Sequence, residues 1–123
     1  MTKPRVLIID DDPAVARCAA RVLHRAGCEV HHAPDAPTGI EEVRQALQVG
    51  EPYAAILCDH EMPGGDSETV WQALTLRERE TYVLHTSKAS VCERHLDRGG
   101  RALWPKLDYD ALKALAAALC SSS

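Results

Sequence analysis

Val6-Leu7-Ile8-Ile9-Asp10-Asp11-Asp12 is an apolar run that ends on three consecutive acids. A second run, Ala54-Ala55-Ile56-Leu57-Cys58, ends on Asp59. Short runs rich in β-branched and aliphatic residues read as strands of a parallel sheet buried on both faces. Two such strands that finish on carboxylates bring those carboxylates to the C-terminal edge of one sheet. Open α/β sheets bind their ligands at that edge, where the strand order reverses. Carboxylates crowded there resist ionising together unless a cation joins them. The pattern predicts a small acidic site for a hard divalent metal, with one carboxylate left for chemistry.

Outward from these runs, strand and helix patterns alternate along the chain, as in βαβ units. The first strand spans residues 5–10. The first helix takes Asp12 as N-cap and Pro13 as its first residue, and it stops at Gly27. Its inward stripe is Val15, Ala19, Val22, Leu23 and Ala26. A strand over 29–33 and a helix over 37–49 follow, the helix facing inward through Ile40, Val43 and Leu47. A strand over 53–58 leads through the turn Met62-Pro63-Gly64-Gly65 into a helix over 66–76. Then come a strand over 81–85, a helix over 89–97, a strand over 102–104 and a final helix from Asp108, with Leu112, Leu115, Ala116 and Leu119 inward. Asp66 and Asp108 read as helix N-terminal residues, and the tail 121–123 as frayed. Five such units with right-handed crossovers predict a flavodoxin-like (βα)5 fold: a doubly wound, parallel five-stranded sheet in a three-layer α/β/α sandwich.

The 123 residues suit one domain spanning 1–123. With 46% apolar and 26% charged residues the composition is globular. A net charge of −4 argues against sequence-independent nucleic-acid binding. No apolar stretch reaches the length of a membrane span and no signal-peptide pattern opens the chain, so the expected location is cytoplasmic. Five cysteines without a CxxC spacing read as reduced thiols, mostly buried. The six histidines lack zinc spacing, since His31 and His32 would point to opposite faces of a strand.

Four motifs in order resemble the receiver domain of two-component response regulators, and the similarity covers essentially the whole chain. VLIIDDDP (6–13) resembles the acidic first strand, and AAILCDHEMPGGDS (54–67) the phosphoacceptor strand with its turn. VLHTS (83–87) resembles the hydroxyl-bearing strand end, and GGRALWPK (99–106) the strand that carries the site lysine. The resemblance implies that Asp59 accepts a phosphoryl group from a histidine kinase or histidine phosphotransfer protein. It implies Mg²⁺ held directly by Asp11, Asp59 and the main-chain carbonyl of Glu61, with Asp10 acting mainly through water. Lys106 would pair with the phosphoryl oxygens and Thr86 would donate its hydroxyl once phosphate is present. Such a site assists only its own phosphoryl transfer and dephosphorylation, so the domain is a signalling module and not an enzyme in the ordinary sense. Its output would be a protein partner, or a second copy docking through the face formed by the fourth helix, fifth strand and fifth helix. The sequence after that helix is too short for a DNA-binding output, so the expectation is a receiver alone, either a stand-alone regulator or a domain cut from a larger protein.

Four positions depart from the commonest receiver pattern. Leu103 stands where a Tyr or Phe often turns inward, and Leu107 where proline usually follows the lysine. Without that proline, the cis peptide that often precedes it is not expected. Ser87 replaces a smaller residue and narrows access to the phosphoryl, and Ser67 replaces a common glycine, altering the turn after the third strand. The side chain of Glu61 has two further options, approaching the metal or partly blocking the donor. Two other classes compete. A phosphate-independent pseudo-receiver would explain Leu103 and Leu107. A haloacid-dehalogenase-type phosphatase would use the Asp10-x-Asp12 pair, but Ala14 stands where Thr or Val is expected and the chain lacks room for that larger fold.

Overall fold

A computed structural model describes residues 2–121. Five parallel strands form the central sheet: β1 (Arg5–Ile9), β2 (Glu29–Ala33), β3 (Ala55–Cys58), β6 (Tyr82–His85) and β7 (Arg101–Leu103), in the order β2-β1-β3-β6-β7. Between β3 and β6 lies a two-stranded hairpin, β4 (Glu61–Met62) and β5 (Gly65–Asp66). The helices are α1 (Pro13–Arg25), α2 (Ala36–Gln48), α3 (Ser67–Ala73), α4 (Ala89–Asp97) and α5 (Tyr109–Ser121). The strand order reverses between β1 and β3, so the crevice beyond their C-terminal ends is the topological switch point.

Alternation along the strands divides the core. Leu7, Ile9, Ile56, Cys58, Tyr82 and Leu84 pack with Val43, Ala46, Val70 and Val91 from α2, α3 and α4. Val6, Ile8, Ala55, Leu57 and Val83 pack with Ala16, Ala19, Leu23, Leu112 and Ala116 from α1 and α5. Both faces of the sheet are therefore covered, which is why its strands read as continuous apolar runs. Among the described residues no helix is long and apolar enough to cross a membrane.

Several elements differ from the sequence reading. The first and third strands are shorter than 5–10 and 53–58. Ala54 lies just outside β3, although its N–H still donates to the Arg5 carbonyl at 2.7 Å. Helix α3 ends at Ala73 instead of residue 76, because Thr75 and Glu78 bond reciprocally and start a separate 3₁₀ turn, Glu78–Thr81. Arg79 Nε caps the Trp71 carbonyl at 2.9 Å, and that carbonyl also accepts the Leu74 N–H at 3.2 Å. Ala26 and Leu47, placed inward by periodicity, are exposed, and Ala16 and Ala46 fill those faces. Ser121 closes α5 with its hydroxyl on the Ala117 carbonyl instead of fraying. Met1, Ser122 and Ser123, the other termini that the sequence reading addressed, lie outside the described residues.

Candidate functional site

Strand β1 delivers Asp10 and Asp11 to the switch point and β3 delivers Asp59. One oxygen from each carboxylate lies within 4.8 Å of the others. Asp10 and Asp59 are buried and Asp11 is exposed, and among the described residues no histidine or cysteine joins such a group. Asp12 stands apart. Its carboxylate caps α1, accepting the N–H groups of Ala14 and Val15 at 2.9 and 3.3 Å, so Asp10 and Asp12 do not form the paired acids of a phosphatase.

Lys106 enters from the loop after β7. Its Nζ lies 2.7 Å from Asp59 Oδ1 and 3.0 Å from Asp10 Oδ2. One ammonium among three acids leaves the pocket net negative. Burial raises the Asp59 pKa above its ordinary value against the pull of the Lys106 hydrogen bond, and the Asp10 charge adds to the rise. Burial works against the charged form of Lys106, but hydrogen bonds and charge from Asp59 and Asp10 raise its pKa overall.

The remaining bonds fix these groups. Asp10 Oδ1 accepts the Asp12 N–H at 2.9 Å, and Asp59 Oδ1 accepts the His60 N–H at 2.8 Å. Asp10 Oδ2 is buried, and among the described residues its partner is the Lys106 ammonium alone. An all-oxygen donor set with a buried carboxylate oxygen that accepts no backbone N–H fits a hard cation such as Mg²⁺.

Thr86 directly follows β6 and is buried. Its N–H donates to the Leu103 carbonyl at 3.4 Å and its Oγ1 accepts the Lys88 N–H at 3.0 Å. The hydroxyl is thus engaged as an acceptor and keeps a hydrogen to donate. Glu61 opens β4, two residues beyond Asp59. Its exposed carboxylate pairs with the Lys88 ammonium, tying the loop after β3 to the loop after β6. It does not join the acid cluster. Ser87 is exposed, and Leu103 is half-buried against the α1–α5 core.

The glycines and Ser67 shape the loop after Asp59. Gly64 and Gly65 turn the hairpin at φ of 78° and 147°, where a side chain would be strained. Ser67 is buried, its N–H on the His60 carbonyl and its Oγ 2.8 Å from His60 Nδ1. The Trp104–Pro105 peptide is cis, upstream of Lys106, and Leu107 adopts a left-handed φ of 58°.

Three histidines to which motif reading gave no role bond to residues around the site. His32 Nε2 donates to the Asp10 carbonyl at 2.8 Å, and His60 ties down Ser67. His85 is fully buried at the end of β6 and receives the Leu107 N–H on Nε2 at 3.0 Å. The only signal for His85 in the sequence is a polar residue inside an apolar strand.

The family model for the response regulator receiver domain matches residues 6–100. The transcriptional regulatory protein AruR of Pseudomonas aeruginosa is 29% identical over 91 residues, 74% of this chain and 37% of that protein. The chain thus spans about a third of the length of the curated relatives it matches. Among solved structures, a sensor protein from Polaromonas sp. JS666 has a TM-score of 0.80 at 24% identity, covering 98% of both chains. The response regulator TrrA from Thermotoga maritima, solved with Mg²⁺ and BeF, has a TM-score of 0.77 at 19% identity, covering 94% of this chain and 98% of that one.

Proposed function

The chain belongs to the response regulator receiver domain family, a signalling module of two-component systems, and from that membership we propose that Asp59 is its phosphoryl acceptor. The observation that carries this reading is the Lys106 ammonium held between Asp59 Oδ1 and Asp10 Oδ2 in a net-negative pocket. A carboxylate oxygen of Asp59 would attack phosphorus as the P–N bond of a phosphohistidine donor breaks and the imidazole leaves. Lys106 would then move its ion pair from the carboxylate to the phosphoryl oxygens, and Thr86 would turn its hydroxyl hydrogen towards them. Asp11, Asp59 and the Glu61 carbonyl would hold Mg²⁺, with Asp10 through water, and the bound ion would neutralise phosphoryl charge. Positioning and charge compensation supply the catalysis, and they serve hydrolysis of the aspartyl phosphate as well as its formation.

The output would follow from Thr86. Its N–H already bonds β7 at Leu103 and its Oγ1 holds the start of α4 through Lys88. Drawing the hydroxyl towards a phosphoryl group would release Lys88 N–H and shift α4, β7 and α5 between two states, changing what that surface binds. Thr86→Ala should be phosphorylated yet lose phosphorylation-dependent partner binding. Full retention of that binding would remove Thr86 from the switch.

Intact-mass spectrometry after incubation with acetyl phosphate and Mg²⁺ tests the acceptor. One added phosphoryl group is expected, absent in Asp59→Asn and in metal-free controls. An adduct that survives Asp59→Asn would refute the assignment. No adduct from either acetyl phosphate or phosphohistidine donors would point to a phosphate-independent interaction module.

A further inference from the structure

We propose that His85 is a positioning residue for Lys106, acting through the backbone of Leu107. The inference rests on the phosphoryl-acceptor reading of the same site and adds a residue to which the motif reading gave no role.

Lys106 must place its ammonium between Asp10 and Asp59 from a loop with little regular structure. The next residue, Leu107, brings an N–H that the proline usual at this position would lack. It also takes a left-handed backbone, φ 58°, which a branched side chain adopts only when its surroundings enforce it. The enforcing contact is the imidazole of His85, whose Nε2 accepts the Leu107 N–H at 3.0 Å. A backbone N–H can only donate, so Nε2 carries a lone pair and the ring proton sits on Nδ1. His85 itself is 1% exposed, set in the sheet one residue before Thr86. It therefore connects the rigid end of β6 to the residue after the lysine. Burial and the nearby Lys106 charge keep the ring neutral, with a pKa lowered to about 4, so the acceptor persists at neutral pH.

His85→Leu removes the acceptor, and His85→Gln keeps an amide oxygen in its place. At saturating Mg²⁺, His85→Leu should slow acetyl-phosphate modification of Asp59 roughly tenfold, the scale of one buried donor left unpaired. Mg²⁺ affinity should not fall, because the acids are untouched and a displaced lysine competes less for them. His85→Gln should recover most of the rate. In a Lys106→Ala background His85→Leu should add no further loss, since both changes act on one group. Equal slowing by His85→Leu and His85→Gln, additivity with Lys106→Ala, or joint loss of rate and Mg²⁺ affinity would overturn the assignment. A second measurement needs neither a variant nor phosphoryl chemistry. Long-range ¹H–¹⁵N correlations on the native protein should show His85 Nε2 unprotonated and the Leu107 amide protected from exchange. An Nε2–H tautomer or a rapidly exchanging Leu107 amide would refute the positioning role, even in a protein that takes no phosphoryl group.

Discussion

Lowering the pH from 7 to 5 should destabilise this domain steeply, and two histidines set the size of the effect. His85 and His95 are buried, and burial lowers each pKa from 6.5 to about 4, with Lys106 and Arg98 respectively adding to the fall. His95 sits edge-on to Trp71, tilted against Tyr82, and receives Arg98 Nε on Nδ1. A base whose folded pKa is depressed binds fewer protons when folded than when unfolded. Its contribution is complete above pH 6.5 and is lost as the pH falls towards 4. Between pH 7 and 5 each histidine then withdraws about 2 kcal/mol, or about 4 kcal/mol for the pair. In a domain of this size that lowers Tm by roughly 10–20 °C. Carboxylates with depressed pKa, such as Asp66 and Glu68, lose their contribution only in more acidic solution. Asp59 has the opposite sign, because its raised pKa makes acid relieve strain, so the measurement belongs in Asp59→Asn protein. Urea unfolding at half-unit steps of pH reads the slope, and His85→Gln with His95→Gln should remove most of it. A change below about 1 kcal/mol between pH 7 and 5 would refute the reasoning, as would an unchanged slope in the double variant.

Mg²⁺ at a hundred times its Kd should stabilise the domain by about 2.7 kcal/mol in thermal melts; Asp11→Asn should abolish that shift, and a shift that persists would move the ion elsewhere. Lys106→Met removes the cation that competes for Asp10 and Asp59, so calorimetry should show Mg²⁺ binding tighten roughly tenfold; weaker binding would mean that the lysine organises the acids instead of competing for them. Gly39→Ala should destabilise the fold by about 1–2 kcal/mol despite alanine's better helix propensity. The added Cβ would lie 2.5 Å from Ile9 Cδ1, in a core where Ile9 is fully buried. A neutral or stabilising result in urea unfolding would show that the α2–β1 contact yields.

The architecture was legible because each level of the sequence agrees with the others. Continuous apolar runs mark strands covered on both faces, and Asp12, Asp35, Asp66 and Asp108 all carry helix-cap bonds. Strand β2 and helix α4 fall on residues 29–33 and 89–97 as read. The misreadings are local competitions. Apolar content carries past Leu74, so periodicity extends α3, but the Thr75–Glu78 pair offers the backbone a better partner. The eight residues between Cys58 and the start of α3 read as a plain turn, whereas Glu61–Met62 and Gly65–Asp66 pair across Pro63 and Gly64. Ala46 is buried in place of Leu47 because close helix–sheet contact favours small residues, which periodicity alone does not register, and Ala26 is exposed because it is the C-cap just beyond α1.

The acids of the site were legible for a different reason: chain direction puts the C-terminal ends of neighbouring parallel strands together, so Asp10, Asp11 and Asp59 had to meet. Lys106 and Thr86 needed the motif register as well, since neither residue type signals a site alone. Leu107 was visible as a departure, but its consequence was not, because a missing proline has no fixed replacement. The consequence is a new, part-buried N–H directly after Lys106, and an N–H withdrawn from water needs an acceptor. His85 supplies it from β6, and the two residues lie 22 apart in sequence. Each looks unsuited to its place when read singly: a polar ring in a buried strand, and a branched residue at positive φ. Read together they are donor and acceptor, and the loop geometry that proline commonly imposes covalently is imposed here by a hydrogen bond. It follows that exchanging Leu107 for proline should not restore the family geometry, because proline cannot reach φ 58° and would leave His85 Nε2 without its donor. Leu107→Pro should therefore slow Asp59 modification, whereas an increase in rate would show that the present loop conformation is a compromise the proline relieves.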